Sequence, residues 1–271
     1  MPTDPSSAGS AATSFVTSAD GTRLRLTHWG EGGRDLLLLH GLAEHAGRYE
    51  HVAAALVAAG FAVTFLELRG HGHSGGKRGH VMRWAEYVED VQAAAANLKP
   101  GWSMLAHSTG GLVALDAVRA GLAPSRLALS APLLGARVKA PRIKVSAAGL
   151  LSRVMPSLSM ANEIPLEHLS RDKAVTEAYD KDPLVFRTVT PRWYTEMLAA
   201  QQRVLAHRYT LPLAVFVGSD DQITDPPLDE RFAKEQGAYF KMYPDFRHEI
   251  MNEIGKEQAI ADIVGWLEGK S

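Results

Sequence analysis

Short apolar runs alternate along this chain with longer stretches in which apolar positions recur every three or four residues. Asp35–Leu39, Phe61–Phe65, Trp102–Leu105, Arg126–Ser130, Leu213–Val217 and Tyr239–Tyr243 read as strands. Between them lie helical patterns. Tyr49, Val52, Ala53 and Leu56 form one face that stops at Gly60, and Trp84, Tyr87, Val88, Val91 and Leu98 form another that ends before Pro100. Gly111–Leu115 opens a third. A fourth is capped by Asp225, carries Pro226 in its first turn, turns Leu228 and Phe232 inward and ends at Gly237. Ile260, Ile263, Val264 and Leu267 close the chain. Ahead of all this, from Ser14, the pattern is strand, turn, strand: Asp20-Gly21 is a hairpin signal, and Arg23–Thr27 alternates at period two. The order predicts an α/β fold with a mostly parallel central sheet and helices on both faces.

The chemistry gathers at strand ends. Ala106-His107-Ser108-Thr109-Gly110 follows a strand and opens a helix. That is the setting of a nucleophile elbow of the form G-x-S-x-G, with Ala106 in the first position. A serine hydroxyl attacks only when a base removes its proton and donors receive the developing oxyanion. Downstream, the strand Leu213–Val217 runs into Gly218-Ser219-Asp220-Asp221-Gln222-Ile223, which offers an acid, Asp220 or Asp221, just past a strand end. The strand Tyr239–Tyr243 runs into Pro244-Asp245-Phe246-Arg247-His248-Glu249, and His248 is the only histidine beyond Asp221. Upstream, Asp35–Leu39 leads into His40-Gly41-Leu42-Ala43, where an oxyanion loop is expected to begin. The expected donors are the backbone N–H groups of Leu42 and Thr109. Serine, then acid, then histidine is the order of the α/β-hydrolase fold.

The rhythm breaks after Ser130. The next strand begins near Leu213, about eighty residues later, far beyond an ordinary βα connection. Helical stretches Val145–Met155, Lys173–Asp180 and Trp193–Leu205 fill the gap. A structured insertion here is where an α/β hydrolase carries its cap. The expected organisation is a disordered tail over 1–13, a core over 14–134 and 207–271, and a helical cap (lid) over 135–206. Within the cap, Ala147–Leu151 with Val154, Met155 and Leu158 is apolar. It serves either internal packing or a surface that meets lipid.

Several segments resemble the monoglyceride lipases and their lysophospholipase-like relatives. They are His40–Tyr49, Arg69–Gly76 with Arg78-Gly79-His80-Val81, Leu169–Asp172 with Tyr179 and Asp182-Pro183-Leu184, and Tyr243-Pro244 with His248-Glu249 and Asn252-Glu253. The similarity runs from about Gly21 to Leu267. Two positions depart from the family pattern: Ala106 where glycine is usual, and Glu67 where aspartate is usual. The pattern Gly218-x-x-Asp221-x-Ile223 selects Asp221 over Asp220. The resemblance implies hydrolysis of lipid carboxylic esters, monoacylglycerols or lysophospholipids, with the acyl chain along an apolar cap tunnel. The implied catalytic residues are Ser108, Asp221 and His248, with no cofactor and no metal.

Composition narrows the remaining classes. The chain has 271 residues, with 29 basic and 30 acidic residues and a formal net charge of −1. No basic stripe suggests a nucleic acid partner. The absence of cysteine removes disulfides, thiolate metal sites and a cysteine nucleophile, and fits a cytoplasmic location. No apolar run reaches membrane-spanning length, and Met1–Ser10 lacks the features of a signal peptide. The expected partner is a small lipid ester, with transient contact of the cap with a membrane or micelle. His71 and His73 read as parts of a supporting loop rather than a metal pair, His107 as packing, and Glu44 and His45 as residues that fix the oxyanion loop. Two other classes share this fold: a cap-bearing esterase, amidase or peptidase of non-lipid substrates, and a non-hydrolytic binding protein.

Overall fold

A computed structural model describes residues 11–137, 142–162 and 164–270. Its strands are β1 (Ala12–Thr17), β2 (Arg23–Trp29), β3 (Arg34–Leu39), β4 (Phe61–Leu66), β5 (Ser103–His107), β6 (Leu127–Ser130), β7 (Met160–Ala161), β8 (Thr188–Val189), β9 (Leu213–Gly218) and β10 (Tyr239–Tyr243). Its helices are α1 (Glu50–Ala58), α2 (Ala85–Ala95), α3 (Thr109–Arg119), α4 (Arg142–Val154), α5 (Lys173–Lys181), α6 (Pro191–Leu205), α7 (Pro226–Gln236) and α8 (Lys256–Leu267). One sheet carries eight strands in the order β1-β2-β4-β3-β5-β6-β9-β10. From β4 to β10 every neighbour is parallel. β2 pairs antiparallel with β4, and β1 antiparallel with β2 at the edge.

Period-two alternation explains the layers. Leu37, Leu39, Met104, Ala106, Leu127, Leu129, Val215 and Val217 point to one face, where α2, α3, α6 and α7 cover them. Leu36, Leu38, Leu105, Ala128, Ala214 and Phe216 point to the other, where α1 and α8 pack. The strands are apolar on both faces because both faces are covered. The parallel strands β3, β5, β9 and β10 end on one side of the sheet, the side on which their following loops gather His40, Ser108, Asp221 and His248. Open α/β sheets place ligands there.

Most of the tail expected over 1–13 lies outside the described residues. Its last part differs: Ala12 and Thr13 belong to β1, paired with His28 and Thr27 of β2. Local sequence there is weakly strand-forming, and an available sheet edge overrides it.

Between β6 and β9 lie α4, α5, α6 and a small antiparallel ribbon of β7 and β8, Met160↔Val189 and Ala161↔Thr188. The ribbon was not legible in the sequence because two-residue strands carry no periodicity. Helix α6 anchors this stretch. Thr190 caps it by accepting from the Trp193 N–H (3.2 Å), and Trp193, Met197, Ala200 and Val204 pack into the core. Arg203 reaches the buried Asp116 of α3 at 3.0 Å. By contrast Leu150, Val154, Met155, Leu158 and Met160 are exposed. Among the described residues no helix is long and apolar enough to cross a membrane.

Candidate active site

Ser108 sits between β5 and α3 with φ 52° and ψ −119°, a strained conformation for a residue with a side chain. Its main chain is held on three sides. The Ser108 N–H donates to Ser130 O (2.9 Å), and its carbonyl accepts from Gly111 N (2.9 Å) and Leu133 N (3.0 Å). A Cβ on Gly110 would lie 2.4 Å from the His40 carbonyl oxygen, so only glycine lets α3 begin this close to the end of β3. Ala106, the departure from the usual glycine, is fully buried in the core on the α3 side.

His248 Nε2 lies 2.9 Å from Ser108 Oγ, and His248 Nδ1 lies 2.8 Å from Asp221 Oδ2. Asp221 is fully buried. Its Oδ1 accepts from the N–H groups of Ile223 (2.7 Å) and Thr224 (3.0 Å), and its Oδ2 also accepts from Thr224 Oγ1 (2.7 Å). Burial by itself would raise the Asp221 pKa; the facing His248 and these hydrogen bonds outweigh it and hold the carboxyl at about 2. For His248 burial acts downward, but the Asp221 carboxylate lifts the imidazole above its ordinary 6.5. Asp220 turns outward: its side chain is half exposed and Oδ1 accepts from Gln222 Nε2 at 2.8 Å.

The β3–α1 loop approaches Ser108 from the other side. Gly41 is required there, since a Cβ would meet Glu44 Oε2 at 2.7 Å and Ser108 Cβ at 3.0 Å. Glu44 Oε2 accepts from the Gly41 N–H (2.8 Å) and from Tyr49 Oη (2.8 Å), and Ala43 takes a positive φ of 63°. Leu42 lines the cavity beside Ser108. Thr109 is the first residue of α3, whose opening N–H groups have no intrahelical partner. His40 Nε2 accepts from the Leu68 N–H (3.0 Å), so its Nδ1 carries the proton and donates to Gly41 O (2.6 Å). Burial lowers the His40 pKa to about 4, which keeps that neutral form. His71 lies between the rings of His40 and Phe186, tilted to both, and the His73 N–H donates to Glu67 Oε2 (2.7 Å). Glu67 also accepts from the Ala46 N–H (3.2 Å), so it ties two loops and does not approach Ser108.

A cavity of about 480 Å³ opens on Ser108 and His248. Leu133, Ile164, Leu169, Val189, Trp193 and Met197 give it apolar walls. Glu44, His107, Tyr179 and Glu249 line it with polar groups. These form one cluster around Arg48, which forks onto Glu249 (3.0 and 2.8 Å), pairs with Glu44 and lies over the Tyr179 ring at 4.7 Å. Burial would raise the Glu249 pKa, but Arg48 outweighs it and keeps the carboxylate charged. His107 is buried, as its packing role requires. The elbow sends its Nδ1 to Ser130 O (3.0 Å), yet the ring lines the cavity with its centroid 4.8 Å from that of His248. Glu249, Tyr179 and Trp193 escaped the sequence reading as cavity residues because nothing local marks which face of a loop or helix a distant serine will meet. The available signals were the position of Glu249 next to His248 and the family-like segments that contain Tyr179 and Glu249.

Near Asp221, the fully buried Asp229 of α7 has, among the described residues, no donor within hydrogen-bond distance of either carboxyl oxygen. Burial, and then the charges of Asp221 and Asp225, push its pKa well above the ordinary value and favour its protonated form. A pKa raised on folding contributes stability that is complete below about pH 4, the unfolded value, and is lost as pH rises through the folded value. Asp229→Asn stays neutral at every pH. Its melting temperature should exceed that of the wild type at mildly alkaline pH, by about 2–4 °C for each kcal/mol recovered, and the gain should shrink toward acid pH. Thermal denaturation across pH checks this; an equal or lower melting temperature at alkaline pH refutes it.

An α/β-hydrolase fold that presents a serine, a histidine and a carboxylate in hydrogen-bonded sequence defines a serine hydrolase. Residues 33–255 match the family model described as serine aminopeptidase, S33. The chain belongs to this hydrolase family. It is 34% identical over 245 residues to a monoacylglycerol lipase of Mycolicibacterium smegmatis, covering 86% of this chain and 87% of that protein. It is 31% identical over 241 residues to an uncharacterized abhydrolase domain-containing protein of Dictyostelium discoideum, covering 85% of this chain but only 26% of that longer protein. The crystal structure of the Paleococcus ferrophilus monoacylglycerol lipase superposes with a TM-score of 0.83 at 28% identity, over 96% of this chain and 99% of that one.

Proposed function

We propose that the protein hydrolyses monoacylglycerols, releasing fatty acid and glycerol. The observation that carries the reading is the Ser108–His248–Asp221 hydrogen-bonded chain opening on a cavity with apolar walls and a cluster of polar groups. In this reading Ser108 Oγ attacks the ester carbonyl as His248 Nε2 takes its proton. Asp221 holds the imidazole tautomer and stabilises the imidazolium. The N–H groups of Leu42 and Thr109 receive the oxyanion. His248 then protonates the leaving alcohol, and water repeats the sequence on the acyl-enzyme.

Residues 135–206 act as the cap in this proposal, since Ile164, Leu169, Val189, Trp193 and Met197 come from it. The acyl chain lies against these side chains. The glycerol faces Glu44 and Glu249, two carboxylates around the single Arg48 guanidinium. That balance favours a neutral head group over the phosphate of a lysophospholipid. The exposed Leu150, Val154, Met155 and Leu158 support transient contact with a micelle or membrane surface, and the absence of cysteine supports a cytoplasmic setting.

Each buried methylene contributes about 0.8 kcal/mol, so kcat/KM should rise about fourfold per methylene from acetyl to decanoyl esters until the cavity is full. A panel of p-nitrophenyl esters of graded length, with monoacylglycerols and lysophospholipids beside them, tests this. A flat or falling series replaces the lipid reading with a hydrolase of small non-lipid esters, and faster cleavage of lysophospholipids reverses the head-group assignment. No turnover of any ester, amide or peptide leaves a binding protein.

A further inference from the structure

The three residues of the proposed triad are not held in the same way. The Ser108 N–H bonds to Ser130 of β6, and the Asp221 N–H to Gly218 of β9, so both rest on the sheet. The loop that carries His248 begins on the sheet as well, where the Asp220 N–H donates to Phe246 O (2.9 Å). Beyond Phe246 its partners change to residues 165–172 of the insertion, which carry a 3₁₀ turn at Leu166–His168 and lead into α5. The His248 N–H points to His168 O (3.4 Å) and the Glu249 N–H to Leu169 O (2.9 Å).

Glu253 closes this pairing. Its carboxylate is fully buried. Oε2 accepts from the Arg247 N–H (3.1 Å), the residue directly before His248, and from the Arg171 N–H (3.1 Å) in the insertion. Oε1 accepts from the same Arg171 N–H (3.0 Å), from the Ile254 N–H (2.7 Å) and from Ser170 Oγ (3.3 Å). Ser170 Oγ also bonds to Asn252 O (3.0 Å). One buried anion therefore takes backbone donors from two segments far apart in sequence, and bonds of this charge-assisted kind are the strong ones. The other side of the same insertion segment, at Pro165, His168 and Leu169, lines the cavity.

We propose that Glu253 is a positioning residue that clamps the insertion to the loop of His248, so that the segment lining the acyl cavity also sets where the imidazole stands. A chain that fills the cavity presses on His168 and Leu169, whose carbonyls hold the His248 and Glu249 N–H groups. The insertion is then part of the catalytic base's support and not only a cover over the site. The inference rests on the role given to His248 above.

Glu253→Gln replaces one acceptor oxygen with a donor at nearly constant shape, and so opposes an N–H group that Glu253 now accepts. A displacement of the base by about 1 Å costs up to about 100-fold, so kcat should fall about 10- to 100-fold with little change in KM. The acid limb of kcat/KM should also move down, because the imidazole loses part of its contact with Asp221. Ser152→Ala removes a 2.8 Å bond to Thr195 inside the insertion without touching the clamp, and should leave kcat unchanged. A folded Glu253→Gln protein with wild-type kcat and acid limb, including one with only a lower melting temperature, overturns the proposal. If Glu253→Gln does not fold, Ser170→Ala decides: a lower kcat at unchanged KM supports the clamp, and a wild-type kcat overturns it. Labelling of the wild-type protein by a fluorophosphonate separates the two levels. A label on Ser108 with unaffected clamp variants refutes the clamp alone, whereas a label on another serine refutes the reading on which it rests.

Discussion

Ser108→Ala is expected to lower kcat by about 10⁴-fold or more while leaving the fold intact. The expectation follows from geometry. Ser108 Oγ is the hydroxyl 2.9 Å from His248 Nε2, and its strained φ of 52° lifts it out of the sheet plane toward the cavity. The hydroxyl itself is small and the elbow's main-chain bonds to Ser130, Gly111 and Leu133 do not involve it, so its removal should cost little stability. Residual turnover would come from the oxyanion donors and the cavity alone. A fluorophosphonate should label the wild type at Ser108 and fail to label the variant. Peptide mapping that places the adduct on another serine, or an alanine variant with near-wild-type kcat, refutes the assignment.

The second large effect separates two adjacent aspartates. Asp221→Asn should lower kcat by about 10²- to 10⁴-fold, because an amide at Oδ2 favours the wrong imidazole tautomer and no longer stabilises the imidazolium. Three donors from Ile223 and Thr224 reach Asp221, so part of that hydrogen-bond set survives in asparagine and the variant should fold. Its residual activity carries a further signature. The Asp221 carboxylate is what lifts the His248 pKa against burial, so the acid limb should move to lower pH when that charge is removed. Asp220→Asn should stay close to wild type, since its half-exposed carboxylate meets Gln222 and, at 3.7 Å, Arg247. Kinetics of the two folded variants across pH decide the matter; greater damage from Asp220→Asn reverses the choice.

The sheet was legible because its evidence is local. Leu36–Leu39, Met104–Ala106 and Leu213–Val217 are apolar at every step, as strands covered on both faces must be, and α7 announces itself through Asp225, Pro226 and Gly237. The order of elbow serine, acid and histidine could likewise be read, since each stands just beyond a strand whose end the pattern marks. Less legible were the contributions that depend on packing between distant segments. The edge strand at Ala12 exists because β2 offers it a partner. The β7–β8 ribbon joins residues too short in pattern to be recognised. His107 was read as packing; that its buried ring packs on His248 and also lines the cavity follows from the fold.

By itself, then, the sequence determined the alternation of strands and helices, the parallel sheet it implies, and the candidate residues Ser108, Asp221 and His248. The physical reason is that periodicity, capping and turn chemistry act over a few residues and leave their mark there. Tertiary structure alone decided that Glu44, Arg48 and Glu249 gather around one polar end of the cavity. It also decided that Glu253 receives N–H groups from both the histidine loop and the insertion. These are encounters between segments up to about two hundred residues apart, as Arg48 and Glu249 are. Buried charges must find partners wherever the folded chain supplies them, and the identity of those partners is set by the geometry of packing, which no local pattern records.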